Sequence, residues 1–126
     1  MLFDTDVLIW YFRGHTAAAE FIRQTSRRLV SPVAQMELYA GARNRTELML
    51  IRSALRDLGL SVVPLSFAIG RRAVALVETL ALSHGLAPAD ALIAATALEI
   101  GEPLATGNRK HFASIHGLEL RLFQPA

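Results

Sequence analysis

Short apolar segments alternate with longer segments of helical periodicity along the whole chain. The apolar segments predict strands at residues 2–4, 29–30, 60–65, 103–106 and 118–123. Between them the sequence predicts helices at residues 7–12, 16–24, 32–42, 44–58, 66–85 and 88–100. Strands that alternate with helices form parallel sheets covered on both faces. The chain is therefore predicted to adopt a three-layer α/β/α fold around a central, mainly parallel sheet.

The helix boundaries depend on residues that commonly begin or end helices. Thr16 and Ser66 are predicted N-caps, and Asn44 followed three residues later by Glu47 is typical of a capping box. Pro88 begins the most apolar helix, at residues 88–100, which is predicted to lie centrally because it has almost no polar face.

Length and composition favour one compact unit. The 126 residues have the size of one domain, and no linker, repeat or low-complexity tract divides residues 1–126. Net charge is only +2, although twelve of the thirteen cationic residues are arginine and many are clustered. Arginine makes bidentate contacts with phosphate, so a polyanionic partner is as good an explanation of these clusters as solvated helix faces.

Compartment is indicated by the missing cysteines and by the N-terminus. Without cysteine there are no disulfides and no thiolate metal sites. Asp4 interrupts the first apolar run, so this run is not a signal peptide, and no uncharged apolar stretch reaches the length of a membrane span. We expect a cytoplasmic protein with no membrane contact.

Four acidic residues interrupt apolar patterns at three places. Asp4 and Asp6 follow the first predicted strand, Glu37 shares a helical stripe with Val33, Met36 and Ala40, and Asp90 lies in the first turn of the apolar helix. Each has an ordinary explanation. Aspartate caps helices, a glutamate at the edge of a stripe reaches water or an arginine, and an acid suits the positive end of a helix dipole.

Taken together, these acids indicate a site for a hard cation. Strand ends of a parallel sheet can gather Asp4, Asp6, Glu37 and Asp90 into one pocket, where their repulsion needs protonation, an arginine or a cation. Oxygen ligands favour Mg²⁺ or Mn²⁺ over Zn²⁺. Thr106 and Asn108 follow another strand and form either a simple turn or a site for a water or phosphate oxygen.

Four segments resemble, in order, the motif blocks of PIN-domain ribonucleases, and the similarity is greatest to the VapC-like toxins of type II toxin–antitoxin systems. These segments read DTDVLIWYFRG, MELYAG, PADALIAATALEIG and LATGNRKHF. The resemblance implies a PIN-like fold and a metal-dependent endoribonuclease. It also implies an RNA substrate, a VapB-like antitoxin that blocks the pocket, and a homodimer.

The resemblance also implies roles for particular residues. Asp4, Glu37 and Asp90 match the three family acids, and Asn108 matches a fourth position that is acidic in many members. Asp4 and Asp90 are then metal ligands, Glu37 is a ligand directly or through water, and Asp6 is an auxiliary ligand. Thr106 and Asn108 orient the attacking water or a phosphate oxygen, and cleavage leaves a 5′-phosphate and a 3′-hydroxyl.

The sequence departs from the family at two positions and leaves two other functions open. Asp6 adds a charge where asparagine is more common, and Asn108 removes one, which leaves a second metal ion in doubt. One alternative is a catalytically silent PIN-like module that acts through a DNA-binding antitoxin partner. The other is a receiver-like phosphoacceptor, which the third predicted strand disfavours because it does not end in an acid.

Overall fold

A computed structural model describes residues 1–125. Its five strands are β1 (Leu2–Phe3), β2 (Leu29–Val30), β3 (Ser61–Val62), β4 (Leu104–Thr106) and β5 (Leu120–Leu122). Its seven helices are α1 (Thr5–Phe12), α2 (Thr16–Gln24), α3 (Pro32–Ala40), α4 (Arg45–Asp57), α5 (Phe67–His84), α6 (Pro88–Ile100) and α7 (Arg109–Phe112).

The five strands form one sheet in the order β3-β2-β1-β4-β5, and every neighbouring pair is parallel. The chain moves outward from β1 to β3 on one side and from β4 to β5 on the other. The strand order therefore reverses between β1 and β4, which is where α/β sheets form a crevice at their carboxyl ends. The predicted α/β fold with a parallel central sheet is confirmed.

Each face of the sheet carries its own hydrophobic core. Leu2 packs with α5 and α6 residues such as Ile69 and Ile93, whereas its neighbour Phe3 packs on the opposite face with Val7 and Leu38. This division follows from the strand geometry, because successive side chains point to opposite faces. As predicted, α6 is central: six of its residues are buried, and it packs closely against α5.

The structure corrects several predicted boundaries near the sheet. The strand predicted at residues 60–65 is only Ser61–Val62, and its pairing extends one residue further through the Val63 N–H, which donates to the Val30 carbonyl. Pro64 faces away from β2 at the free edge of the sheet, where its missing N–H costs no ladder bond, and the pairing ends at Val63. The strand predicted at 118–123 is likewise shortened, to Leu120–Leu122.

Helix starts were also misplaced in two cases. Thr16 is the first residue of α2 rather than its cap, since His15 holds the N-cap position and makes no side-chain capping bond. The first helix begins at Thr5 rather than at residue 7, because the Asp4 side chain accepts the Thr5 N–H. The short helix α7 was not predicted, because one turn is too short to show a periodic pattern.

None of the helices within residues 1–125 combines the length and hydropathy that a bilayer crossing requires.

Candidate active site

Asp4 lies at the point where the sheet order reverses. It follows β1, caps α1, and is only 5% exposed. Its Oδ1 accepts the Thr5 N–H at 2.8 Å, and its Oδ2 accepts the hydroxyl of Thr106 at 2.7 Å. Thr106 is the last residue of β4, the strand paired with β1, so the parallel pairing brings together two side chains that are far apart in sequence.

The pKa of Asp4 is raised to about 6, first by burial and then by the neighbouring carboxylate of Asp6. The hydrogen bonds from Thr106 and Thr5 oppose this rise, whereas the charge of Asp90 adds to it. The charges of Asp6 and Asp90 thus both raise the pKa of Asp4. Clustering of acids at the strand ends therefore favours the protonated form of Asp4.

Asp6 lies in the first turn of α1 and is held by the loop after β4. Its Oδ2 accepts the Gly107 N–H at 2.8 Å. Its Oδ1 is buried and has no hydrogen-bond partner among residues 1–125. Burial raises the pKa of Asp6, and the Gly107 N–H opposes that rise.

The loop after β4 comes so close to Asp6 and to the Phe123 carbonyl that position 107 requires a glycine. A β-carbon at this position would lie 2.8 Å from the Phe123 carbonyl oxygen and 2.9 Å from Asp6 Oδ2, both below any normal contact. The glycine therefore allows the β4 loop to pass between the backbone after β5 and the α1 carboxylate.

Glu37 does not lie on a buried stripe as predicted. The buried residues of α3 are Val33, Ala34 and Leu38, whereas Met36 is 57% exposed and Glu37 is exposed at the edge of the buried arc. The prediction chose the wrong centre for the stripe because α3 packs through its 34 and 38 positions. Glu37 Oε1 accepts the hydroxyl of Thr5 at 2.7 Å, which ties α3 to the start of α1.

Asp90 lies in the first turn of α6, the helix that leads into β4. Its Oδ2 is 3.1 Å from Nδ1 of His111 on α7, and its side chain is 22% exposed. Burial raises the pKa of Asp90, the neighbouring His111 lowers it, and Glu37 and Asp6 raise it. The charge of Glu37 reaches this carboxyl group, so the acid of α3 and the acid of α6 share one locality.

Asn108 is exposed at the start of α7, and its side chain makes no capping bond. Its backbone N–H donates to the Thr106 hydroxyl oxygen at 3.0 Å. That hydroxyl is therefore fixed on both sides, because it accepts from Asn108 and donates to Asp4.

A comparison with protein-family models decides what kind of domain this is. The model for the PIN domain matches residues 1–118, nearly the whole chain. The chain belongs to the PIN-domain family.

Solved structures of similar fold agree with this PIN-domain assignment. A toxin–antitoxin complex from Klebsiella pneumoniae contains a chain with 31% identity and a TM-score of 0.78, with 99% of this chain and 97% of that chain covered. VapBC-1 from nontypeable Haemophilus influenzae has 23% identity and a TM-score of 0.81, with 96% of each chain covered. VapBC2 from Rickettsia felis, bound to a promoter DNA fragment, has 21% identity, a TM-score of 0.78 and 98% of each chain covered.

A comparison with curated protein sequences gave no significant match.

The donor set of this PIN domain fits a hard divalent cation. Its acids offer carboxylate oxygens, Asp6 has a buried oxygen without a partner, and three carboxyl groups have raised pKa values that a cation would reverse. Among residues 1–125, however, no three acidic or histidine side chains stand close enough together to form a complete ligand cluster. The acids share a locality, and binding of a cation would require them to draw closer.

Three residues of the candidate site were not predicted to contact its acids. Thr5 binds Glu37, Gly107 binds Asp6 through its N–H, and His111 pairs with Asp90. All three stand inside the quoted motif blocks, so their position was a usable signal. His111 follows Asn108 by one helical turn, but the sequence does not show that α7 brings it against α6.

Proposed function

We propose that this PIN domain is a Mg²⁺-dependent endoribonuclease and acts as the toxin of a VapBC-type toxin–antitoxin pair, with Mn²⁺ as an alternative ion. The single observation that carries the proposal is the coupling of acids from three separate elements, Asp4 after β1, Glu37 on α3 and Asp90 on α6, at one crevice of a PIN-domain fold. PIN domains are generally nucleases, and the similar structures include toxin–antitoxin complexes.

Some residues of the site would bind a cation, and others position the side chains that bind the cation. Asp4 and Asp90 would bind it directly, with Glu37 directly or through water and Asp6 as an auxiliary ligand. When bound, Mg²⁺ supplies charge neutralisation at the scissile phosphate and a water of lowered pKa. Thr106 fixes the orientation of Asp4 by a 2.7 Å hydrogen bond, and Thr5 fixes Glu37 by another of 2.7 Å.

Asn108 and Thr106 provide the polar groups on the β4 side of the crevice. The Asn108 side chain is exposed and makes no cap bond, so its amide can donate to a phosphate oxygen or a water. The Thr106 hydroxyl is engaged on both sides, so we assign it the positioning of Asp4 and of the Asn108 backbone.

The proposal predicts a specific loss of RNA cleavage in two variants. Asp4→Asn and Asp90→Asn each remove one ligand charge while keeping nearly the same shape, so the Mg²⁺-dependent rate should fall by roughly 100-fold or more. Asp57→Asn is the matched control, because Asp57 lies on α4 with its side chain 76% exposed. Cleavage of the same RNA by either site variant at the wild-type rate would contradict the mechanism.

A groove between α1, α2, α3 and α4 is the proposed seat of the antitoxin. Its volume is about 1140 Å³, it begins beside Glu37, and its lining includes Phe12, Leu50, Ile51 and Arg43. An apolar floor with charges of both signs at its rim suits an extended or helical segment with apolar anchors. A segment seated there ends next to a candidate ligand, which would account for inhibition.

The rival proposal is a catalytically silent module that acts through an antitoxin-like DNA-binding partner. The exposed position of Glu37 and the incomplete ligand cluster in residues 1–125 are the observations on its side. Calorimetric titration with Mn²⁺ separates the two proposals. Binding that is lost in Asp4→Asn supports the nuclease, and no heat of binding in the wild type supports the silent module.

A further inference from the structure

One flank of α1 carries an aromatic ring and a cation in line with the candidate active site. Asp6, Trp10 and Arg13 are spaced by four and then three residues, so they share one face of the helix. Asp6 itself is held by the loop after β4, through the Gly107 N–H at 2.8 Å. This α1 flank, formed by Asp6, Trp10 and Arg13, therefore begins at the crevice and extends for about 10 Å along the helix axis.

Trp10 and Arg13 form a stack on the α1 flank. The guanidinium carbon of Arg13 lies over the indole ring of Trp10, 5.5 Å from the ring centroid. The ring of His15, at the N-cap of α2, packs against the same indole with a centroid distance of 5.2 Å and an angle of 75° between the rings. Trp10 is partly buried and Arg13 is exposed. The pair therefore presents to solvent a cation backed by a fixed aromatic ring.

The charge of Arg13 is not used by an acid of the described chain. None of the ion pairs within residues 1–125 includes Arg13, whereas Arg43 pairs with Glu47 and Arg72 with Glu99. Nucleobases stack on aromatic rings and on guanidinium planes, and the positive charge attracts the phosphate of the same nucleotide. The α1 flank thus has the chemistry of a nucleotide-binding surface.

We propose that the α1 flank is a subsite for single-stranded RNA, in which one base of the strand that leaves the crevice stacks on Arg13 over Trp10. This inference rests on the proposed nuclease function and adds a place for the substrate outside the acids. Asn108, which follows Gly107 and has an exposed side chain, borders the crevice where the flank begins. Because Arg13 stands about 10 Å along α1 from Asp6, it contacts a nucleotide beside the scissile phosphate rather than that phosphate itself.

Single-stranded RNA explains the α1 flank better than the antitoxin does. Trp10 is not among the residues that line the proposed antitoxin groove, although Arg13 also borders that groove. A protein segment gains affinity from apolar anchors, and the flank offers only one ring, with a cation over it. A nucleotide brings a flat base and an anionic phosphate together, and these match the guanidinium plane and its charge.

Trp10 is the only tryptophan of the chain, so its fluorescence reports directly on this subsite. The full-length Asp4→Asn variant, which should leave RNA intact, is titrated with a single-stranded oligoadenylate of about 8 nucleotides. The dissociation constant is measured by tryptophan fluorescence and, independently, by the anisotropy of end-labelled RNA. Stacking of a base should quench the indole emission, and both methods should give the same dissociation constant.

Substitutions of Arg13 separate stacking from charge in the same Asp4→Asn background. Arg13 is exposed, so its replacement should not disturb folding. Arg13→Gln removes the charge and the guanidinium plane and should raise the dissociation constant roughly 10-fold. Arg13→Lys keeps the charge but not the plane and should still raise it roughly 5-fold. Arg23→Gln, which removes an exposed cation from α2, is the matched control and should leave RNA affinity unchanged.

Several outcomes would overturn the proposal. RNA that does not bind, or that binds without quenching Trp10, shows that the α1 flank is not its subsite. The same conclusion follows if Arg13→Gln leaves RNA affinity unchanged or if Arg23→Gln weakens it equally. Full affinity in Arg13→Lys shows charge attraction without stacking. Weaker antitoxin binding by Arg13→Gln, with unchanged RNA affinity, assigns the flank to the antitoxin. Cleavage by the wild type reports the proposed nuclease separately, because the binding assay uses uncleaved RNA.

Discussion

Asp4 is a carboxyl group that the fold makes costly to ionise. Because its pKa is raised to about 6 from an ordinary value of 3.8, the folded chain holds its proton more tightly than the unfolded chain does. The stabilising contribution is therefore full below about pH 3.8 and is lost as the pH rises through about 6. A site for a cation has this property, since the bound ion replaces the proton at neutral pH.

This argument predicts that Asp4→Asn makes the metal-free protein more stable at pH 8. Two units of pKa correspond to an upper limit of about 3 kcal/mol in the free energy of unfolding, and the gain should disappear near pH 4. Urea denaturation in EDTA at both pH values measures it, with Asp57→Asn as control. A variant that is less stable than the wild type at pH 8 would show that Asp4 is not destabilised by its charge.

In the presence of Mn²⁺ the wild type, rather than Asp4→Asn, should be the more stable protein at pH 8. Ion at a hundred times its dissociation constant stabilises the folded wild type by about 2.7 kcal/mol, whereas the asparagine variant should gain almost nothing. The benefit to the wild type should decline below about pH 6, where Asp4 holds a proton that competes with the ion. Thermal denaturation with and without Mn²⁺ at pH 5 and pH 8 measures both effects. Equal stabilisation of the two proteins would place the ion elsewhere.

Alanine substitutions at Gly107 and Gly70 should change the free energy of unfolding in opposite directions. Gly107→Ala should lower the free energy of unfolding by roughly 1–3 kcal/mol, because the new methyl group meets a backbone oxygen and the Asp6 carboxylate. Gly70→Ala is the control with the opposite sign. Gly70 lies inside α5 with open space at its β-carbon, so alanine there should add roughly 0.5–1 kcal/mol. Denaturation midpoints measure both, and a neutral Gly107→Ala would contradict the close approach.

At the scale of elements, two substitutions on α4 test whether the antitoxin binds in the proposed groove. Leu50 lines the groove, whereas its neighbour Met49 is exposed outside that lining. Leu50→Asp should therefore weaken antitoxin binding by at least 10-fold through loss of an apolar anchor, and Met49→Asp should change it little. Isothermal titration with the cognate antitoxin measures both affinities. Equal affinities would mean that the antitoxin does not use this groove.

The helices and strands also show which boundaries can be predicted from the sequence and which cannot. The boundaries of α5 and α6 follow from serine, proline and glycine at their ends, so local chemistry predicted them closely. The errors concern tertiary context. The pairing of β3 ends at Val63 although the apolar residues continue to Leu65. The packing of α3 through Ala34 and Leu38 leaves Glu37 at the edge of the buried arc, which helical periodicity alone did not show.

At the scale of the whole molecule, parallel strand pairing assembles the candidate site. The sheet order reverses between β1 and β4, so that Asp4 and Thr106 become hydrogen-bonded neighbours although about a hundred residues separate them. The sequence predicted that acids would gather at strand ends, because the rule for α/β sheets is general. It did not predict the partners Thr5, Gly107 and His111, which depend on how loops and helices pack after the sheet forms.

The central claim is that these acids serve RNA cleavage by a divalent cation. The most direct measurement is the cleavage rate of RNA by the purified chain, free of any antitoxin, with Mg²⁺, after removal of the ion by EDTA, and after Mg²⁺ is restored. The account predicts cleavage that stops with EDTA and returns with Mg²⁺. Cleavage that continues undiminished in EDTA would contradict it.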